Sequence, residues 1–295
     1  MTWTDKKLYL LLLTPAVLML LLFVAAPIVQ SIYLSFHRIV IGLPQLKSPF
    51  VGLENYHELL SDTVARQSFW ITVLFVAVTT FFELVLGLLL ALLIHHRFPG
   101  RGGLRACVLI PWAIPTVVAA QMWRFLLNDA YGMVNYVAFG SQTSQYVPWL
   151  AQPATAITAI IVADIWKTSS FAALLILAGL QVIPEELYQA AKVDGAVVWR
   201  RFCHITWPLI RPALLVALLF RTIDAFRIFD LAFVMTQGGP ADATNVLQLY
   251  GYKKMFVEGW LGYGSAISVC IFVMVLVLAV AYVRIVGRRL LEART

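Results

Sequence analysis

The chain has 295 residues, 61% of them hydrophobic and 13% charged, with a mean hydropathy of +0.84. Those values exclude an ordinary soluble globular domain and place the sequence among polytopic membrane proteins. The formal charge of +7 would suit nucleic acid, but its distribution follows membrane topology instead. Cys107, Cys203 and Cys270 are far apart and form no CxxC pair, so they imply neither a disulfide framework nor a metal site.

A membrane-spanning helix needs about 20 mostly apolar residues. Six segments meet that length: about 8–36, 68–94, 106–127, 153–180, 209–235 and 263–286. The first is longer than a signal-peptide core and lacks a small-residue cleavage site, so it is expected to be retained. Its Pro15 and Pro27 predict a kink. Between the first two spans, Leu53–Leu60 has the pattern of a short amphipathic helix. His95-His96 closes the second span and reads as an interfacial pair. Residues 128–152 and 236–262 are rich in Tyr, Trp and Phe, which suits either an interface belt or a surface that receives a partner protein. No inter-span stretch is long enough to bury a soluble core of its own. Residues 1–295 therefore read as one transmembrane domain, and they contain no visible internal repeat.

Orientation follows from Lys and Arg. With a cytoplasmic N-terminus, the inner segments hold thirteen: Lys6, Lys7, Arg97, Arg101, Arg105, Lys192, Arg200, Arg201, Arg211, Arg284, Arg288, Arg289 and Arg294. The outer segments hold five: Arg38, Lys47, Arg66, Lys253 and Lys254. That bias predicts cytoplasmic termini and assigns the basic excess to topology and lipid headgroups, with no nucleic-acid partner.

Charges within spans cost about 2.5–3.5 kcal/mol each on insertion scales, so each needs a partner or a role. They are Glu83, Arg124, Asp164, Lys167, Arg221, Asp224, Arg227 and Asp230. One reading is a set of internal salt bridges that hold the spans together. The other is a binding site. Residues three apart on a helix sit about 60° from one another, within pairing reach. On a regular helix, Arg221 and Asp230 would lie on opposite sides. Arg221, Asp224 and Arg227 on span five, with Asp164, Thr168 and Phe171 on one face of span four, supply carboxylates, guanidinium groups, a hydroxyl and an aromatic ring. That is the polar and stacking inventory of a carbohydrate site.

Residues 182–208 form a charged interruption between spans four and five. Pro184 suits a first helical position, Glu185 and Glu186 suit the positive end of the helix dipole, and Asp194-Gly195 supplies a stop. A second short helix, Val197 to about His204, is expected before Pro208 opens the next span. This helix–glycine–helix stretch is either a docking element or a plain polar connection.

Gln189-Ala190-Ala191, Gly195, Ile205, Trp207 and Pro208 are spaced as in the EAA loop. That loop belongs to the integral membrane subunits of bacterial ATP-binding-cassette (ABC) importers, which this chain resembles over its whole length. Gln189 replaces the motif Glu, and Trp207 replaces the motif Leu. The resemblance implies an all-α polytopic fold of six transmembrane helices with a cytoplasmic coupling loop. It implies that Glu186, Gln189, Ala190, Ala191, Asp194, Gly195, Ile205 and Pro208 engage the ATPase. The implied partners are a second permease subunit, two ATPase subunits and an extracytoplasmic sugar-binding protein in the bacterial inner membrane. It also implies substrate contact near mid-membrane between spans four and five. Gly238-Gly239-Pro240 resembles a turn of sugar permeases, and the DAFRIFD run resembles subunits that handle trehalose and other α-glucosides.

The sequence holds no Gly-x4-Gly-Lys-Ser/Thr, HExxH or nucleophile elbow. No cofactor is therefore expected on this chain, with ATP and Mg on the partner ATPase, and no catalytic residue is expected. The alternative of a different class is an ion-coupled secondary transporter using Glu83, Asp164 and Asp224.

Overall fold

The computed structural model describes the backbone of residues 3–42, 48–96 and 98–292, and side chains within 11–42, 48–96 and 98–284. Lys47, Arg97 and Arg294, and the side chains of Lys6, Lys7, Arg288 and Arg289, lie outside the described residues.

Among the described residues every regular element is a helix, joined by turns and loops, with two isolated β-bridges besides. In order, the helices are α1 (Trp3–Leu20), α2 (Ala26–Ser35), α3 (Glu54–Ser61), α4 (Thr63–His95), α5 (Arg101–Ala113), α6 (Thr116–Leu126) and α7 (Met133–Phe139). They continue with α8 (Pro153–Gln181), α9 (Glu185–Val193), α10 (Val198–Arg201), α11 (Trp207–Phe226), α12 (Asp230–Met235), α13 (Leu247–Tyr252) and α14 (Leu261–Glu292). Five stretches among the described residues are long and apolar enough to cross a membrane: Leu11–Ser35, Thr63–His95, Pro153–Gln181, Val198–Ala225 and Leu261–Arg284. The bent pair α5 and α6 makes a sixth if counted as one span.

Prolines account for most departures from straight helices. Pro27 and Pro208 each follow a wide π-type turn, at Leu21–Ala25 and Phe202–Thr206. In both, the residue just before the proline bonds back five positions, Ala26 to the Leu21 carbonyl and Trp207 to the Phe202 carbonyl. The extra residue per turn makes room for the ring and carries the helix past a missing N–H. The expected separate helix over Val197–His204 is therefore corrected. α10, the π turn and α11 run on as one helix, with helical backbone angles at every join.

Two expected spans are broken. The segment 106–127 bends by 91° between α5 and α6. Pro115 lacks an N–H and forces Ile114 into an extended conformation (φ −70°, ψ 130°). The segment 209–235 is not one helix either. α11 stops at Phe226, the chain turns through Arg227–Phe229, and α12 begins at Asp230.

The described chain divides into two units. The first comprises residues 1–66 and 250–274. Within it, Asp62 starts α4, its Oδ1 accepting the N–H groups of Val64 at 2.9 Å and Ala65 at 3.2 Å. Its Oδ2 accepts the hydroxyls of Tyr263, at 2.6 Å, and Tyr250. Burial pushes the Asp62 carboxyl up, but these four donors hold it below the usual carboxylate range.

The second unit comprises residues 67–249 and 275–295 and is built on α8. Small residues on α8 (Ala156, Ala159, Ala163, Ala172, Ala173) are buried and let neighbouring helices approach closely. Gly179 is a close approach to α11: a Cβ placed there would lie 2.3 Å from the Ala213 Cβ. Around it, Ala91, Ile94, Ile176, Leu177, Leu180, Ile210 and Ala217 form an apolar core.

Candidate functional site

A cavity of about 580 Å³ opens within the second unit. Asp164, Thr168 and Phe171 reach it from α8, and Arg221 and Asp224 from α11, with Arg227 at the helix end. All six residues expected from the sequence to form a binding set line this one space. Asp230 also lines it. A regular helix would carry that side chain to the far side, but the break at Arg227–Phe229 brings it round. The opposite-side expectation for Arg221 and Asp230 assumed an unbroken helix and is corrected accordingly.

Arg221 organises the polar side. It is only 2% exposed, and Glu83, its main partner from α4, is fully buried. The guanidinium grips Glu83 side-on, with Nε donating to Oε2 at 2.6 Å and Nη2 to Oε1 at 3.0 Å. Its Nη1 donates to Asp224 at 2.6 Å, and Nη2 lies 3.5 Å from Asp164. Thr168 Oγ1 sits 2.6 Å from both Glu83 Oε1 and its own helix's Asp164 carbonyl. The Thr168 hydroxyl therefore covers the oxygen that Arg221 shares. A charged pair held in this planar fork fixes Arg221 against α4 and α8 at once. Asp224 differs from its neighbours, because its side chain is 69% exposed toward the open space. The two readings of the intramembrane charges thus coexist: Glu83 and Arg221 form an internal bridge, and Asp224, Arg227 and Asp230 are presented to the cavity.

The other wall is aromatic. Trp112 stacks on Phe171 with ring centroids 5.6 Å apart and an 18° interplanar angle, and Phe220 meets Phe171 edge-on at 6.5 Å. Trp112 arrives by way of the Pro115 bend, since it sits in the last turn of α5. Lys167, buried one turn along from Asp164, donates from Nζ to the Trp112 carbonyl at 3.4 Å. Trp112, Lys167 and Phe220 were absent from the sequence-derived set. The signal for Trp112 was an aromatic between Pro111 and Pro115. Glu83 and Lys167 were visible as intramembrane charges on spans two and four, Glu83 with a part only in the ion-coupled alternative. Among the described residues, no cluster of His, Cys, Asp and Glu could hold a metal ion.

The loop at 182–208 forms a second feature of the same unit. Pro184 takes the N-cap position, so α9 begins at Glu185, one residue later than expected. At the other end, the Ala196 N–H bonds to the Ala191 carbonyl at 2.8 Å and Gly195 to Lys192 at 3.1 Å. This Schellman closure requires the left-handed φ of +74° at Gly195. The Tyr188 hydroxyl pairs with Thr206 at 3.0 Å and ties α9 to the continuous helix behind it. Glu186, Gln189, Ala190, Asp194 and Gly195 are exposed, while Ala191, Ile205 and Pro208 are half-buried. Val193, Val197, Val198 and Trp199 are 67–88% exposed, an apolar patch set among charges. Trp207 leans on Phe202 with centroids 6.3 Å apart.

Residues 83–292 match the model of a family described as "Binding-protein-dependent transport system inner membrane component". The chain is 44% identical over 286 residues to the trehalose/maltose transport system permease protein MalF of Thermococcus litoralis, covering 97% of this chain and 95% of the relative. It is 39% identical to the trehalose transport system permease protein SugA of Mycobacterium tuberculosis, covering 96% and 90%. Its fold resembles a chain in the crystal structure of a bacterial ABC transporter that imports the acidic polysaccharide alginate. There the TM-score is 0.83 at 24% identity, over 97% of this chain and 96% of that one.

Proposed function

This chain belongs to the family of binding-protein-dependent transport system inner membrane components, and on that premise we propose that it conducts a carbohydrate, a disaccharide of the trehalose or maltose kind. It is a multi-pass inner-membrane permease of an ABC importer, a transport component and not an enzyme, with nucleotide bound by a partner ATPase. The observation that carries the sugar reading is the two-sided cavity. Its volume of about 580 Å³ falls within the range of small-ligand sites and suits two pyranose rings. Trp112, Phe171 and Phe220 offer flat faces for the C–H side of a ring. Asp164, Thr168, Asp224 and Arg227 offer acceptors and donors for hydroxyls, with Arg221 setting the position of Asp224. The names of the two relatives point to the same substrate class.

In this reading, residues 1–295 act as one permease domain with both termini in the cytoplasm. A second permease completes the pathway, and an extracytoplasmic sugar-binding protein delivers the substrate. Two ATPase subunits seat α9 through Glu186, Gln189, Ala190, Ala191, Asp194 and Gly195, with Ile205 and Pro208 bracing the helix behind. The exposed Val193, Val197, Val198 and Trp199 supply the apolar contact such a seat needs. The chain from α8 through the loop to α11 is short, and Tyr188 and Thr206 bind the loop to the α11 helix. A push on α9 is therefore felt by both helices that line the cavity.

The test is reconstitution in proteoliposomes of this chain with its second permease, ATPases and binding protein, measuring uptake of radiolabelled trehalose and maltose. ATP-dependent uptake that needs the binding protein is expected. Absence of sugar uptake by a complex that hydrolyses ATP in response to its loaded binding protein would overturn the substrate class. Uptake driven by an ion gradient without ATP would overturn the coupling.

A further inference from the structure

Lys167 is the one residue of the cavity whose burial and bonding do not match its chemistry. It is 7% exposed, and its ammonium carries three N–H donors. The bond it makes is to the Trp112 carbonyl, at a long 3.4 Å. Among the described residues, no carboxylate oxygen lies within ion-pair distance of Nζ. Asp164, Asp224 and Asp230 line the same cavity without bonding to Lys167. By contrast, the equally buried Arg221 is fully engaged by carboxylates. A buried ammonium with unused donors is costly unless something else accepts from it. Lys167 lines the cavity beside the stacked Trp112 and Phe171, so the accepting atom belongs in the cavity.

We propose that Lys167 is a specificity-determining contact, donating from its ammonium to one hydroxyl or ring oxygen of the sugar lying on the Trp112–Phe171 face. The inference rests on the carbohydrate reading above and assigns one polar anchor within it. An aromatic stack alone holds a sugar ring without fixing its rotation or telling one epimer from another. A donor at the edge of the stack supplies that direction. The Trp112 carbonyl is free to accept because the chain leaves α5 at Ile114, just before the Pro115 bend. Lys167 thereby bonds to the backbone of Trp112 and lines the same cavity as the ring stack, with its remaining N–H groups available to the ligand.

The experiment uses the full complex in proteoliposomes with trehalose, maltose and their monodeoxy derivatives as transported probes. Lys167→Met keeps an unbranched side chain one atom shorter while removing the donors. The wild type should discriminate against one monodeoxy sugar by about 10- to 100-fold in apparent KM, the scale of a hydrogen bond to a charged group. Lys167→Met should take up the parent sugar with that weakened KM and no longer discriminate against that one analogue, while discrimination at other hydroxyls persists. Lys167→Arg should retain discrimination at the same hydroxyl. If Lys167→Met lowers maximal uptake of every probe equally and keeps the wild-type pattern, Lys167 only braces the Trp112 carbonyl and the proposal falls. Should the Met variant fail to assemble, the wild type and Lys167→Arg carry the test: a wild type that takes up every monodeoxy derivative as readily as the parent sugar overturns the proposal. Failure of the wild-type complex to carry any of these sugars is a different result, which removes the carbohydrate reading and this inference together.

Discussion

Removing the Glu83 carboxylate is the sharpest perturbation the structure offers. Glu83→Ala strands Arg221, a guanidinium 2% exposed whose shortest buried contacts are the 2.6 Å and 3.0 Å bonds to that carboxylate. Unit charges about 4 Å apart interact by about 4 kcal/mol at an effective dielectric of about 20. That agrees with the roughly 3–5 kcal/mol usually lost when one partner of a buried pair is deleted. Asp224 and Asp164 soften the loss little, because one is largely exposed and the other sits 3.5 Å away. Arg221→Met should cost a similar amount by stranding the fully buried Glu83. The double variant should lose much less than the sum, since it leaves no buried charge without its partner, although the smaller Ala leaves some space beside Met. Unfolding of the four proteins in lipid nanodiscs measures the cycle, and a coupling of at least about 2 kcal/mol is expected. Costs that simply add, within about 0.5 kcal/mol, would refute the claim that this bridge holds α4 to α11.

Close packing at Gly179 predicts that Gly179→Ala, whose methyl would lie 2.3 Å from the Ala213 Cβ, destabilises by about 1–3 kcal/mol. Ala213→Gly in the same chain should restore most of it in thermal unfolding, and an unrescued double variant would locate the strain elsewhere. At Gly195 a Cβ meets open space, so only the +74° φ is strained. Gly195→Val should therefore weaken ATPase co-purification far more than Gly195→Asn, because Asn tolerates the left-handed region. Equal effects would mean that bulk, and not backbone conformation, matters there. Asp62 gives a pH signature. Its folded carboxyl lies below the usual range, so its stabilising effect is complete above the unfolded value of about 3.9 and drains away as pH falls through the lower folded value. Acid unfolding should steepen below about pH 4 in the wild type and flatten in Asp62→Asn; identical acid limbs would show that the Tyr250–Tyr263 clamp does not depend on the charge.

What the amino-acid sequence determined alone is everything that a local sum can carry. Hydropathy over about 20 residues located the spanning segments, because solvation by lipid is additive along a helix. Punctuation at Pro184 and Asp194-Gly195 located the loop and its left-handed turn, because those preferences belong to single residues. Residue spacing alone placed Asp164, Thr168 and Phe171 on one face, and all three line the cavity. Tertiary structure decided what depends on partners distant in sequence. Glu83 and Arg221 are 138 residues apart, and nothing in either neighbourhood announces the other. Breaks were also beyond a periodic reading, since a helix pattern assumes an unbroken turn of 3.6 residues. The bend before Thr116 brings Trp112 to Phe171, and the break after Phe226 brings Asp230 into the cavity that Arg221 lines. Conversely, the wide turn before Pro208 keeps α10 and α11 continuous where a stop was expected. A backbone that can shift its hydrogen bonds by one residue has more than one answer to a proline, and the packing around it selects which answer is used.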